Sequence, residues 1–342
     1  MKKTMLFMTL FAMLASCKKE NEEIITPEMT NVLSQDIKVS VKGGTKEQPL
    51  YLPSDTYNFL GFGYDVTDTY NDEVSVRANI VDIPAYAASK AAYVQSMRGT
   101  EGSFNTIIAT DAVNLSQQFS SSTKDTQGLR VYGNTVERTF PGAAAHNKKY
   151  VYGYYSNYMI WKRYRFYYDH AVNNFLTAGF KNDLTTLSAE ALVHKYGTHV
   201  LSRIKLGSKF DVIYRAEAPA DNRRQTSMEG LRYALKHTFG LMSGYLDDVN
   251  LKNLNANSSA QIFFSSVGGD AAQLKMEIIK DRPMLNITNW SATTTEERAR
   301  FIGFDDNGLI SLDNFIDDSA KKEEVKTFIA QYFEDKAAKL TN

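Results

Sequence analysis

Few residues in this 342-residue chain are spaced for chemistry. His194 and His199 stand five positions apart, which gives them a shared face on neither a helix nor a strand, so they make no metal-binding pair. No His-Glu-x-x-His, paired-cysteine or Gly-x-Ser-x-Gly pattern occurs, so no zinc or serine-nucleophile signature is present. Asp305-Asp306-Asn307-Gly308 has the composition of a calcium loop, but its acidic residues do not alternate and the twelfth residue is Ile316 rather than Glu. It reads as a turn. Cys17 is the only cysteine, leaving no internal disulfide and no thiolate pair for a metal. A glycan hydrolase would want two carboxylates in an aromatic cleft, and no motif announces one. The residues point away from catalysis, with no cofactor and no metal. What stands out is a structural run, Tyr196-Gly197-Thr198-His199-Val200, with Gly207-Ser208 after six further residues. There His199 is expected to hydrogen-bond across the run and fix the start of a strand.

The elements around that run are mostly long strands. Residues 150–168 place Tyr150, Tyr152, Tyr154, Tyr158, Ile160, Tyr164, Phe166 and Tyr168 on one face, well beyond the usual five or six residues of a strand. A second strand is predicted over residues 200–216, apolar on its even positions and carrying Arg203, Lys205, Lys209, Asp211 and Arg215 on the odd ones. That pattern predicts one buried and one wet face. Gly207-Ser208 interrupts it where a bulge or bend is allowed. Residues 260–267 read as another strand, ending at Gly268-Gly269, and residues 73–82 as a shorter one. Gly61-Phe62-Gly63-Tyr64-Asp65 suggests a turn or a close backbone approach. Helix is predicted over residues 170–195, with Ser188 as a cap, and over the stripe Val325, Phe328, Ile329, Tyr332 and Phe333. Asp317, Asp318 and Ser319 are its cap candidates. No internal repeat or low-complexity tract is present.

Residues 1–16 read as a secretory signal: Lys2 and Lys3, a short apolar stretch, then Leu14-Ala15-Ser16-Cys17. The stretch falls short of the roughly 20 apolar residues that cross a bilayer. Leu-Ala-Ser-Cys resembles the bacterial lipobox, in which the cysteine is acylated; an ordinary signal peptide is the alternative. Several acyl chains at Cys17 would hold the protein at a membrane. Residues 17–50 would be the tether and linker, and Lys18-Lys19-Glu20-Asn21-Glu22-Glu23 should be solvated. A lysine followed by acidic residues at this place resembles the surface-export signal of Bacteroidetes lipoproteins, or is a plain polar spacer. The expected location is the outer membrane, in either orientation, surface-exposed or released. With 39 basic and 39 acidic residues, the charge balance argues against nucleic acid as a partner.

The run at residues 196–208 resembles the signature of the membrane-attack-complex/perforin (MACPF) family: aromatic-Gly-Thr/Ser-His-aromatic, six residues, Gly-Gly. Val200 and Ser208 depart from it. Residues 61–67 resemble the opening segment of bacterial members, and Gly268-Gly269 the family's later glycine-rich bend. The resemblance covers about residues 51–335. It implies an α+β domain with a bent four-stranded antiparallel sheet, flanking helices, and two helical clusters that unfurl into membrane-crossing β-hairpins. By order along the chain, the clusters would span about residues 84–147 and 219–259.

Such a segment must satisfy two periods, about 3.6 as helix and 2 as strand. In the second cluster Leu231, Leu235, Thr238, Phe239, Met242 and Leu246 line one helical face. Read as strand, Leu231, Tyr233, Leu235, His237, Phe239 and Leu241 share a side. The returning limb alternates Leu254, Ala256, Ser258, Ala260, Ile262 and Phe264 with Asn253, Asn255, Asn257, Ser259 and Gln261. Each limb is about 11 residues, against the 9–11 a tilted membrane strand needs, with residues 242–252 as a polar tip. In the first cluster Ile107, Ala109, Val113, Leu115 and Phe119 alternate less cleanly, because Asp111 and Gln117 fall on the apolar face.

The resemblance implies a non-enzymatic pore former that meets a target membrane, through lipid or an outer-membrane receptor, and self-associates into a ring or arc. Competitor killing is the leading expected role. The chain ends soon after Phe333, so target binding is expected within the domain or through a partner. A non-lytic surface binding protein or adhesin is the alternative, and Ser208 is expected to stiffen the bend.

Overall fold

The computed structural model describes residues 40–44, 50–121, 123, 126, 128–142, 145–241, 258–279 and 282–342. Numbered in chain order, its strands are β1 (Ser40–Gly43), β2 (Phe62–Tyr64), β3 (Val76–Asn79), β4 (Val94–Ala109), β5 (Tyr150–Phe166) and β6 (His199–Leu201). There follow β7 (Arg203–Glu217), β8 (Ser258–Val267), β9 (Lys275–Ile279), β10 (Arg282–Asn286), β11 (Arg300–Phe304) and β12 (Leu309–Ser311). The helices are α1 (Ile83–Ser89), α2 (Ala112–Ser120), α3 (Gly133–Thr139), α4 (Ala178–Thr186), α5 (Ala189–Tyr196) and α6 (Arg223–His237). Past them come a short helix, Thr288–Ala292, and the C-terminal helix, Ser319–Lys336.

The expected α+β class holds, with a sheet wider than four strands. Its order is β1-β8-β7-β5-β4, and β11 also pairs with β7, making six. Neighbours among the four long strands are antiparallel; β1 joins β8 in parallel. Polar and apolar residues alternate in β5 and β7, yet both strands are largely buried on both sides. Two helical layers explain this. Tyr155, Phe210, Val212, Tyr214, Ile262 and Phe264 pack with Leu231, Ala234 and Leu235 of α6 in one core. Tyr152, Tyr154 and Ile213, one residue out of phase and so on the other face, pack with Leu115 and Phe119 of α2 and Val136 of α3.

The expected wet face of β7 is therefore corrected. Lys209 and Arg215 are 3% and 9% exposed, because the loop after β2, through Asn71, lies over the first and Phe140 at the end of α3 over the second. Each is compensated: Lys209 Nζ reaches Asp211 Oδ2 at 2.9 Å and the carbonyl of Asn71 at 2.8 Å. Arg215 stands over the rings of Phe140 and Tyr150, 4.3 Å from each centroid, and donates to Gln261.

Four other expectations are adjusted. The strand predicted from residue 200 is two strands in two sheets, since the N–H groups of Ser202 and Arg203 both turn to Gly308 O (2.7 and 3.3 Å). β6 accordingly joins a second sheet, ordered β12-β6-β2-β3. The helix predicted over 170–195 is a 3₁₀ turn, α4 and α5, restarted where Thr177 and Ser188 accept from Phe180 N and Ala191 N. Within the first expected cluster residues 94–109 are β4, paired with β5 from Val94↔Phe166 to Ala109↔Tyr152 with a register shift between Arg98 and Glu101. Before that strand the span holds α1, and after it helix resumes at the cap Asp111. Likewise, residues 73–75 of the strand predicted over 73–82 are a 3₁₀ turn before β3.

Candidate functional site at the sheet bend and the helix roots

Tyr196 closes α5, and its hydroxyl donates to Asp183 Oδ2 at 2.7 Å. The Lys195 ammonium and that hydroxyl hold the Asp183 carboxyl below its usual range. Gly197 then caps the helix at φ +76°, where a Cβ would stand 2.6 Å from the carbonyl of Tyr64; only glycine fits. Thr198 stitches the next residues to β2: its N–H donates to Tyr64 O at 3.0 Å, and its hydroxyl accepts from Val66 N at 3.2 Å. The same hydroxyl lies 3.0 Å from His199 Nδ1. The His199 ring stacks on Phe333 of the C-terminal helix, 6.2 Å between centroids. Burial pulls the imidazole pKa from 6.5 to about 3, so it is neutral. Val200 is a core residue paired with Gly63 and Ile310.

Seven residues on, β7 changes partners. Ile204–Gly207 pair with β11, and from Lys209 onward the partner is β8. On the other side β5 bulges by one residue between Ile160 and Lys162, opposite Gly207 and Leu206. A Cβ on Gly207 would stand 1.9 Å from Met159 O, so the bulge and this glycine require each other. Gly268 (φ +70°) and Gly269 (φ +62°) end β8 against the same spot; a Cβ on Gly268 would come within 2.8 Å of Gly207 O. Gly207-Ser208 and Gly268-Gly269 thus meet across the bend. Ser208 is tolerated because its backbone is not left-handed and glycine stands opposite it.

Beyond the bend, α6 lies close on the sheet. A Cβ on Gly230 would stand 2.3 Å from the Tyr214 ring, and one on Gly153 would stand 2.8 Å from Leu231 Cβ. The sequence does not mark Arg223, yet it anchors the helix. Its guanidinium donates to Thr110 O (2.9 Å), Lys148 O (2.8 Å), Tyr150 O (2.7 Å) and Ala218 O (3.0 Å). Burial lowers its proton affinity and Asp111 opposes that; an arginine stays charged regardless. Glu229 is fully buried, with Gln225 donating to Oε1, while Oε2 has no hydrogen-bond partner among the described residues.

The sequence matches the MAC/Perforin domain family over residues 54–340. The chain belongs to the MAC/Perforin family. A search of curated proteins found no match. Among solved structures, the chain is similar to a putative cell invasion protein with a MAC/Perforin domain from Bacteroides thetaiotaomicron. Identity is 17%, the TM-score 0.63, and the match covers 85% of this chain and 64% of that one. It is also similar to GNIP1Aa from Chromobacterium piscinae: 15% identity, TM-score 0.63, 84% of this chain and 57% of that one. This chain spans less than two thirds of either protein's length, and at these identities the likeness shows the fold.

Set in this MAC/Perforin domain, the sequence-predicted residues divide into three groups. Leu231, Tyr233 and Leu235 are buried in α6; Phe239 follows it and packs on Phe210 and Phe264, and Leu241 is half-buried. Ala260, Ile262 and Phe264 already form β8, buried beneath α6. Cys17, Leu254 and Ala256 lie outside the described residues, as do Met242 and Leu246. No described helix is long and apolar enough to cross a membrane. Among the described residues no group of His, Cys, Asp and Glu could hold a metal ion. Arg223 escaped the sequence reading because its partners are backbone carbonyls up to 113 positions away.

Proposed function

We propose that this MAC/Perforin chain is a pore-forming surface lipoprotein that oligomerises and threads β-hairpins into the membrane of a competing bacterium. One observation carries the reading. Each helical cluster joins two strands that are already antiparallel neighbours, β4 to β5 and β7 to β8. Straightening a cluster therefore lengthens an existing hairpin without breaking its ladder. Insertion is concerted, because a lone hairpin in lipid leaves backbone groups unpaired at several kcal/mol each, and a closed barrel leaves none. Acylation of Cys17 would hold the chain at the outer membrane until it meets lipid or a receptor on the target.

Gly153→Cys with Leu231→Cys, in lipid-free protein carrying Cys17→Ser, places a disulfide between β5 and α6. A Cβ at position 153 would lie 2.8 Å from Leu231 Cβ, so a shift of about 1 Å between strand and helix brings the pair to disulfide spacing. Dye release from liposomes should be blocked with the bond closed and return on reduction. Equal release in both states would overturn the unfurling step. Protease shaving of intact cells tests the surface location, which protection of the protein would exclude. A second reading, a non-lytic binding protein or adhesin, is favoured by how firmly Arg223 ties down α6. It predicts no dye release in any state.

A further inference from the structure

The four carbonyls that Arg223 holds at 3.0 Å or less belong to three separate stretches of chain. Thr110 follows the end of β4 and precedes Asp111, the cap of α2. Lys148 and Tyr150 are the last residues before and the first within β5, where the α2–α3 layer returns to the sheet. Ala218 follows the end of β7, where the second cluster departs. Arg223 itself opens α6. One guanidinium thus gathers both ends of the first cluster and the start of the second, although the two clusters cover opposite faces of the sheet.

We propose that Arg223 couples the two clusters, so that neither leaves the sheet without loosening the other. This rests on the reading that the clusters unfurl. The physical basis is donor sharing. When α6 moves, the guanidinium moves with it, and Thr110, Lys148 and Tyr150 lose a charge-assisted hydrogen bond together. When α2 pulls away, Arg223 loses acceptors, and its remaining donors are left in a partly buried site. Arg224 adds a donor on the same side, to Ile108 O at 3.2 Å, and Ser227 Oγ donates to Tyr152 O at 2.5 Å. Neither bridges both clusters. Arginine is required because its planar fork offers several donors at fixed angles, whereas a lysine ammonium is a compact point donor.

The test is amide hydrogen exchange on the full chain in detergent, comparing wild type with Arg223→Met and Arg223→Lys. Exchange in α2 and in α6 should quicken together, by about tenfold in both variants, with β6 and β12 of the second sheet unchanged. Faster exchange in α6 with α2 at its wild-type rate overturns the proposal. So does uniform quickening that includes β6 and β12, which marks a merely structural residue, and so does an unchanged profile in Arg223→Lys. If Arg223→Met does not fold, Arg223→Lys decides alone. Exchange is read without a target membrane, so absent dye release in wild type would sink the pore reading and leave this result standing.

Discussion

His199 sits at the junction of two sheets with its ring buried and neutral, and that makes acid its test. In the unfolded chain the imidazole takes up a proton near pH 6.5, and in the folded protein only near pH 3. Between those values the unfolded state binds more protons, so stability must fall as the pH falls. The contribution is complete above about pH 6.5 and is lost progressively toward pH 3. Melting temperature measured from pH 7 to pH 4.5, above the range of most carboxylates, should therefore drop for wild type. His199→Gln should flatten that slope while lowering stability throughout, and an unchanged slope would assign it elsewhere. The neighbouring glycine is a steric requirement of the same junction. Gly197→Ala should cost several kcal/mol, because both its positive φ and its contact with Tyr64 forbid a side chain. Gly102→Ala in β4, whose nearest new contact would be Met159 Cε at 3.6 Å, should lie within about 0.5 kcal/mol of wild type by denaturant titration.

At the scale of elements, α6 is held by opposing effects. Apolar burial and Arg223 keep it on the sheet, while Glu229 carries a buried oxygen without a partner among the described residues. Glu229→Met, which keeps the length and removes the polar atoms, should stabilise the fold by about 1–3 kcal/mol. That is a melting-temperature rise of roughly 2–4 °C per kcal/mol. The same change should slow dye release if α6 must leave the sheet; faster release would contradict the model of a restrained helix. Gly230→Val pushes the other way, since its side chain would enter the space of the Tyr214 ring. Overpacking of this kind costs about 1–3 kcal/mol, and limited proteolysis should cut first within α6.

At the scale of the whole molecule, the six-stranded sheet ends at β4 on one side and at β8 with β1 on the other. Among the described residues β4 pairs only with β5, and the outer side of β8 is covered by β1 over Gln261–Phe264 alone. Long edges are templates for pairing with another chain, and under the proposed function that chain is a second copy, edge to edge. On outer-membrane lipid, electron microscopy should show arcs or rings of the wild-type protein, and only scattered single particles with the 153–231 disulfide closed if insertion stabilises assembly. Scattered particles for wild type at saturating protein would remove self-association from the account.

Much of this was legible in the residues. Period-two alternation announced β5 and most of β7, because a strand writes its pleat directly into side-chain order. Ser188 and Asp318 could be read as caps because capping is local. The run Tyr196–His199 pointed to the family, and the close approach expected around Gly63 is present, where a Cβ would lie 1.8 Å from Tyr196 O. What the residues did not reveal is which sheet each strand joins and what lies over each face. Leu201 ends one strand and Arg203 begins another because Gly308, over 100 positions away, draws the N–H groups of Ser202 and Arg203. Lys209 and Arg215 looked solvent-facing, since alternation records polarity and not the Asn71 loop and Phe140 that cover them. Arg223 is one of several arginines near the start of a helix until the fold brings three stretches of backbone to its guanidinium. Sequence determined the local conformations and the family. Tertiary structure decided the partners, because contacts between distant segments leave no periodic trace in the chain.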